Sequence, residues 1–189
     1  MRGRTTLQER ERERLVAPHP PLTFSSPPLT LSSLLSSSRT FQSVVRLGTG
    51  LIEKKVIQNS GPFRYAMLDT LSDSDATLFT QPLSLAKLAR FITEARRETG
   101  SQRWTGKRAK PLILCALNAL RGTYMVVGVT CNARYLDVRR SAIGTAFKEA
   151  TKEIRDCRYR KDNFDSSVIE VHKDDVLPFI HALYDHVRP

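Results

Sequence analysis

Two hydrophobic rhythms alternate along the second half of this chain, and each predicts an element. Ala76-Thr77-Leu78-Phe79-Thr80-Gln81 reads as a short strand stopped by Pro82. Ser84 then stands as an N-cap for a helix to about Glu98, whose Leu85, Leu88, Ala89, Ile92 and Ala95 recur at i, i+3 and i+4. Gly100 lies where a helix terminator belongs. After a polar loop, Pro111–Leu120 and Tyr124–Thr130 are apolar, β-rich runs around the turn signal Arg121-Gly122-Thr123, which predicts an antiparallel hairpin. The clearest helical spacing covers about Val138–Cys157. Ile143, Ala146, Phe147, Ala150, Ile154 and Cys157 form its apolar stripe, and Lys148, Glu149, Lys152, Glu153 and Arg155 its polar face. Ser167–Val171 predicts a last strand. Asp174 caps a final helix with Val176, Leu177, Ile180, Leu183, Tyr184 and Val187 as its stripe, its start subject to Pro178. Arg64–Thr70 fits an additional edge strand.

The order β-α-β-β-α-β followed by a helix is that of a ferredoxin-like split βαβ unit. The expected fold is therefore an α+β two-layer sandwich: a four-stranded antiparallel sheet, two helices on one face and an extra C-terminal helix. The other sheet face is left for a ligand, a partner or that helix.

Upstream the periodicity disappears. Residues 15–52 contain no Asp or Glu, and Pro18–Thr40 holds five prolines and seven serines. Such a stretch buries too little apolar surface to offset its ordering entropy. The expected organisation is a disordered leader over residues 1–60 and a compact α+β domain over 61–189. An acid-free, Ser-rich leader with Arg39 and Arg46 has the composition of an organellar transit peptide, pointing to a mitochondrion or chloroplast. The alternation Glu9-Arg10-Glu11-Arg12-Glu13-Arg14 departs from that composition. An unstructured leader without an address, in cytoplasm or nucleus, and a basic binding arm are the alternatives.

Charge adds the functional outline. The chain carries a net +11, but Lys87–Lys161 alone carries 18 basic and 6 acidic residues, whereas residues 162–189 carry 2 basic and 6 acidic. A basic block beside an acidic tail is the outline of a polyanion-binding surface. Within the block, Arg96–Lys110 holds six basic residues, one acidic residue and the single tryptophan. Arg96, Arg97, Arg103, Lys107, Arg108 and Lys110 are placed to neutralise phosphates, and Trp104 to stack on an unpaired base or to anchor the loop on the core. The second cluster comprises Arg134, Arg139, Arg140, Lys148, Lys152 and Arg155, and then the acid-free tip Arg158-Tyr159-Arg160-Lys161. Arg158, Arg160 and Lys161 are its candidate phosphate contacts.

Part of this resembles the RNA-recognition motif, which shares the βαββαβ order. Leu78-Phe79-Thr80-Gln81-Pro82-Leu83 is similar to that family's first-strand motif, and Arg121-Gly122 to the opening of its third-strand motif. The aromatic positions after Arg121-Gly122 fall on Thr123, Met125 and Gly128, so the base-stacking platform is missing and membership does not follow.

Catalytic chemistry finds little to stand on. Cys115, Cys131 and Cys157 lack paired metal-ligand spacing and read as reduced thiols. His172, His181 and His186 with Asp174, Asp175 and Asp185 form no HxH or HExxH pattern and lie in the acidic tail. Gly48-Thr49-Gly50 lacks the Gly-Lys-Ser/Thr ending of a phosphate loop. No metal, cofactor or membrane partner is expected, and an enzymatic role is the least supported. The main expectation is a nucleic-acid-binding protein, bound to RNA or single-stranded DNA through phosphate contacts and belonging to a ribonucleoprotein. The alternative is an assembly subunit docking a protein partner, or a second copy, through its C-terminal helix and acidic tail.

Overall fold

The computed structural model describes residues 31–69, 71–100, 104, 109–131, 142–162 and 165–187. In chain order the elements are α1 (Leu31–Glu53), β1 (Gln58–Ser60), β2 (Phe63–Leu68), α2 (Asp73–Phe79), α3 (Pro82–Glu98), β3 (Leu112–Asn118), β4 (Thr123–Val129), α4 (Ala142–Glu153), β5 (Tyr159–Lys161), β6 (Val168–His172) and α5 (Val176–His186). All six strands join one mixed sheet in the order β1-β2-β3-β4-β6-β5. Only β2 and β3 pair in parallel, as a connection running through α2 and α3 requires.

The mixed α+β class holds, but the ferredoxin-like arrangement does not. The β-rich run Ala76–Gln81, which predicts a first strand, lies mostly in helix α2. Ser72 caps it, its hydroxyl accepting the Asp75 N–H (3.4 Å) and donating to the Asp75 carboxylate (3.0 Å). This is the Ser-x-x-Asp form of a capping box, a signal present in the sequence and outweighed there by the β-rich run after it. The true first long strand is β2, over the stretch taken for an edge strand. It is internal, with β1 on one side and β3 on the other.

Helices cover both sheet faces. On one face Val44 and Leu51 of α1, Phe79 of α2 and Leu85, Leu88, Ala89 and Ile92 of α3 pack on Ala66, Leu68, Leu112, Leu114, Ala116 and Val127. On the other, Ile143, Ala146, Phe147 and Ala150 of α4 and Phe179, Ile180 and Leu183 of α5 pack on Phe63, Ile113, Cys115, Val126, Ile169 and Val171. Burial on both faces explains why β3 reads as an unbroken apolar run instead of alternating. The hairpin forms where expected, with Gly122 at φ +62° in its turn.

Helix α1 corrects the leader boundary for its described part. Val44, Leu47 and Leu51 repeat at helical spacing, and that stripe meets α3. At Gly48 the two helices approach so closely that a Cβ would overlap the Phe91 ring. Arg46 clamps α1 to α2, its guanidinium donating to both Asp75 oxygens (2.9 and 2.8 Å). In α5 the stripe is rotated from its expected position: Phe179 is buried, whereas Leu177 and Tyr184 are 57% and 54% exposed.

Candidate functional site

Among the described residues, the Lys110 end of the first basic patch and the β5 end of the second lie at opposite edges of the sheet. Lys110 lies beside β1, its ammonium donating to Asn59 (3.1 Å), whereas Arg160 and Lys161 form β5 at the opposite edge. Five strand spacings of about 4.8 Å, roughly 24 Å, separate those edges. Arg96 and Arg97 occupy the last turn of α3. That helix rises about 25 Å from Pro82 to Glu98, and Pro82 is the residue that lies beside β5.

Within the first patch Lys110 and Arg97 have partners on the chain itself. Arg97 pairs with Glu94 (2.9 Å), and Arg96 is half-buried. Trp104 is only 5% exposed, and the Arg64 guanidinium lies 4.1 Å from its ring centroid. Its face is therefore not presented to a base. Arg64, itself 7% exposed, also donates to the Lys110 carbonyl (3.0 Å), so the tryptophan anchors the loop end against β2. Arg103, Lys107 and Arg108 lie outside the described residues, as do Arg134, Arg139 and Arg140.

In the second patch Arg158 is held by the acidic tail. It donates to Asp175 (3.1 Å) and Asp174 (3.1 Å), and its backbone N–H also reaches Asp175 (3.0 Å). These bonds, the guanidinium first, hold the Asp175 carboxyl below its ordinary value. Arg160 and Lys161 are exposed and have no ion-pair partner among the described residues. They line a cleft of about 440 Å³ with Pro82, Arg121, Met125, Asp162, Val168 and Glu170. Glu170 on its floor is engaged by Thr123 Oγ1 (2.7 Å) and by Arg121 (3.8 Å). Asp162 accepts the Asp165 N–H (3.4 Å). The cleft therefore offers the positive charge of Arg160 and Lys161 beside Pro82, Met125 and Val168, with Glu170 already engaged on its floor. Sequence reasoning named Arg160 and Lys161 but missed Arg121, which a hairpin turn places beside them.

On the other sheet face the buried Tyr124 and Cys115 lie beside the exposed Asp69. The Tyr124 hydroxyl donates to Asp69 (2.8 Å). Burial, then this bond, pushes the phenol from 10.0 to about 12. Burial, with the Asp69 charge adding to it, pushes the Cys115 thiol from 9.0 to about 12. Both groups are neutral in the fold and ionise more easily unfolded. Their contribution is complete below about pH 9 and is lost as pH rises towards 12. The urea midpoint is expected to fall steadily above pH 9, and Tyr124→Phe to flatten the upper part of that fall. A midpoint unchanged up to pH 11 would contradict the assignment.

The histidines make pairwise contacts, His186 with Glu153 (3.0 Å) and His172 with Asp174 (3.2 Å). Among the described residues no three potential ligands cluster as a metal site would need. No described helix is long and apolar enough to cross a membrane.

Comparison with known proteins supplies what the site does not. The CDC45 family model matches residues 9–186 of this chain. The chain belongs to the CDC45 family. It is 31% identical to the cell division control protein 45 homolog of Dictyostelium discoideum, over 80% of this chain and 22% of that protein. Cell division control protein 45 of Saccharomyces cerevisiae is 30% identical over 75% of this chain and 22% of its own length. The chain thus spans about a fifth of the curated CDC45 relatives it matches. The crystal structure of CDC45 from Entamoeba histolytica shares the fold at a TM-score of 0.55 and 21% identity, over 79% of this chain and 28% of that one.

CDC45 membership overturns the main reading from sequence. The relatives it matches are cell division control proteins 45, not RNA-binding ribonucleoprotein components by name. The transit-peptide reading falls too, because the CDC45 match begins at residue 9 and runs through the supposed leader. The mitochondrial or chloroplast assignment has no remaining support.

Proposed function

We propose that this chain is part of a DNA replication initiation factor of the CDC45 type, acting in the nucleus as an assembly subunit within a protein complex, the CMG helicase. The observation that carries this reading is the family match over residues 9–186. It favours the protein-docking alternative over the phosphate-binding one. The distribution of side chains supports the same choice. Arg97 and Arg158 are paired within the chain, and α5 leaves Leu177 and Tyr184 more than half exposed. Exposed large apolar side chains at helical spacing suit a protein partner better than a phosphate backbone. The acidic tail docks partly inward, because Asp174 and Asp175 hold Arg158.

The test is a fluorescent, affinity-tagged chain expressed in cycling cells. Nuclear signal and co-purification of replicative helicase subunits are expected. Signal confined to an organelle, or recovery without any helicase subunit, would overturn the proposal.

A further inference from the structure

The pairing of β5 with β6 determines which backbone groups of β5 are engaged. The His172 N–H donates to the Arg158 carbonyl (2.9 Å), and the Asp162 N–H to the Val168 carbonyl (3.4 Å). In an antiparallel pair, residues bonded across the ladder alternate with residues that are not. The register sets Tyr159 opposite Val171, Arg160 opposite Glu170 and Lys161 opposite Ile169. Arg158, Arg160 and Asp162 therefore bond inward, and Tyr159 and Lys161 turn their N–H and C=O groups away from β6. Among the described residues the sheet ends there. Side chains alternate as well. Arg160 shares the cleft face with Glu170 and Met125, while the Lys161 ammonium lies on the other side, 5.2 Å from the Tyr159 ring centroid.

We infer that β5 is a strand-addition edge for an extended acidic segment of a partner protein. The segment's backbone pairs with Tyr159 and Lys161, and the carboxylates on its cleft face meet Arg160. Short, charged edge strands also serve simply to discourage aggregation. Three features set this edge apart. It borders a cleft of about 440 Å³ with Pro82, Met125 and Val168 as apolar lining. The cleft's own carboxylates, Asp162 and Glu170, are engaged within the chain. The N-terminus of α3, with Pro82 at its start and no acidic residue in its first turn, adds a positive dipole end. A second copy of the chain is a poor occupant, since two β5 strands would set Arg160 and Lys161 against their like. The partner's place in replication rests on the proposed function; the chemistry of the edge does not.

The experiment titrates the full chain into a fluorescein-labelled peptide alternating glutamate with valine, followed by anisotropy. The matching lysine–valine peptide and a short oligo-dT strand run in parallel. The glutamate peptide should bind and slow amide exchange at Tyr159 and Lys161 but not at Arg160 and Asp162, whose amides already face β6. Lys161→Pro removes an outward N–H that β6 does not use, so the thermal unfolding curve should hold. Binding should weaken about tenfold, the equivalent of one lost hydrogen bond. Arg160→Glu should weaken it similarly by reversing the charge. Equal binding of the lysine peptide, preference for oligo-dT, or binding indifferent to both substitutions would overturn the inference. Because these assays use purified chain and defined peptides, their failure is separable from failure of the replication role in cells.

Discussion

Replacing Trp104 with alanine is expected to lower the free energy of unfolding by about 3–5 kcal/mol, the range for a buried large aromatic. The ring is 5% exposed and carries the Arg64 guanidinium at 4.1 Å. Removing it opens a cavity and also deprives a buried cation of its aromatic partner, an interaction of about 2 kcal/mol when desolvated. Arg64 itself is not left bare, because its bond to the Lys110 carbonyl remains. Trp104→Phe keeps a ring under Arg64 and should recover much of the loss. Denaturant unfolding followed by circular dichroism is the measurement, since the substitution removes the chain's only tryptophan. An exposed, base-stacking tryptophan behaves differently, leaving stability within about 0.5 kcal/mol. That smaller result would restore the reading the buried ring excludes.

A chain restricted to residues 61–189 is expected not to fold cooperatively. It keeps every element that periodicity predicts, but loses α1 and β1. Val44 and Leu51 are buried beneath the helical layer, and Leu47, Ile52, Val56 and Ile57 pack around them. At about 1.5–3 kcal/mol for each fully buried aliphatic side chain, Val44 and Leu51 alone contribute about 3–6 kcal/mol, a large share of the about 5–15 kcal/mol of a typical domain. Loss of β1 also leaves β2, five of whose six residues are apolar or aromatic, as a naked edge that invites aggregation. Leu51→Ala in the full chain gives the graded version, a loss of about 2–5 kcal/mol. A shortened chain that melts in a single sharp transition near the full chain's midpoint would show that α1 is dispensable.

Elements decided by their own residues were legible in advance. The stripe of α3, the turn at Gly122, the Ile143–Phe147–Ala150 face of α4 and strand β6 all follow from local spacing. Misreadings came where two local signals competed. The run Ala76–Gln81 has β-rich composition, but the Ser72–Asp75 cap starts a helix ahead of it. In α1 the serine-rich composition masked Val44, Leu47 and Leu51, three residues whose helical spacing matters only because α3 supplies a surface to cover. The three-residue strands β1 and β5 carry too few positions for any pattern to register.

The opening periodicity and the charge count thus hold different kinds of information. Spacing at 3.6 or 2 residues is written in adjacent positions, so the sequence by itself determined helices α3 and α4 with their inward faces, the β3–β4 hairpin and strand β6. Whether charges act together depends on distances across the sheet, and these are decided by strand order. Only the tertiary structure placed Lys110 and Arg160 at opposite edges, tied Arg158 to Asp174 and Asp175, and laid Arg64 over Trp104. It also brought Arg121 from a hairpin turn to the rim of the cleft beside β5, because side chains far apart in the chain meet only once a sheet has set their register.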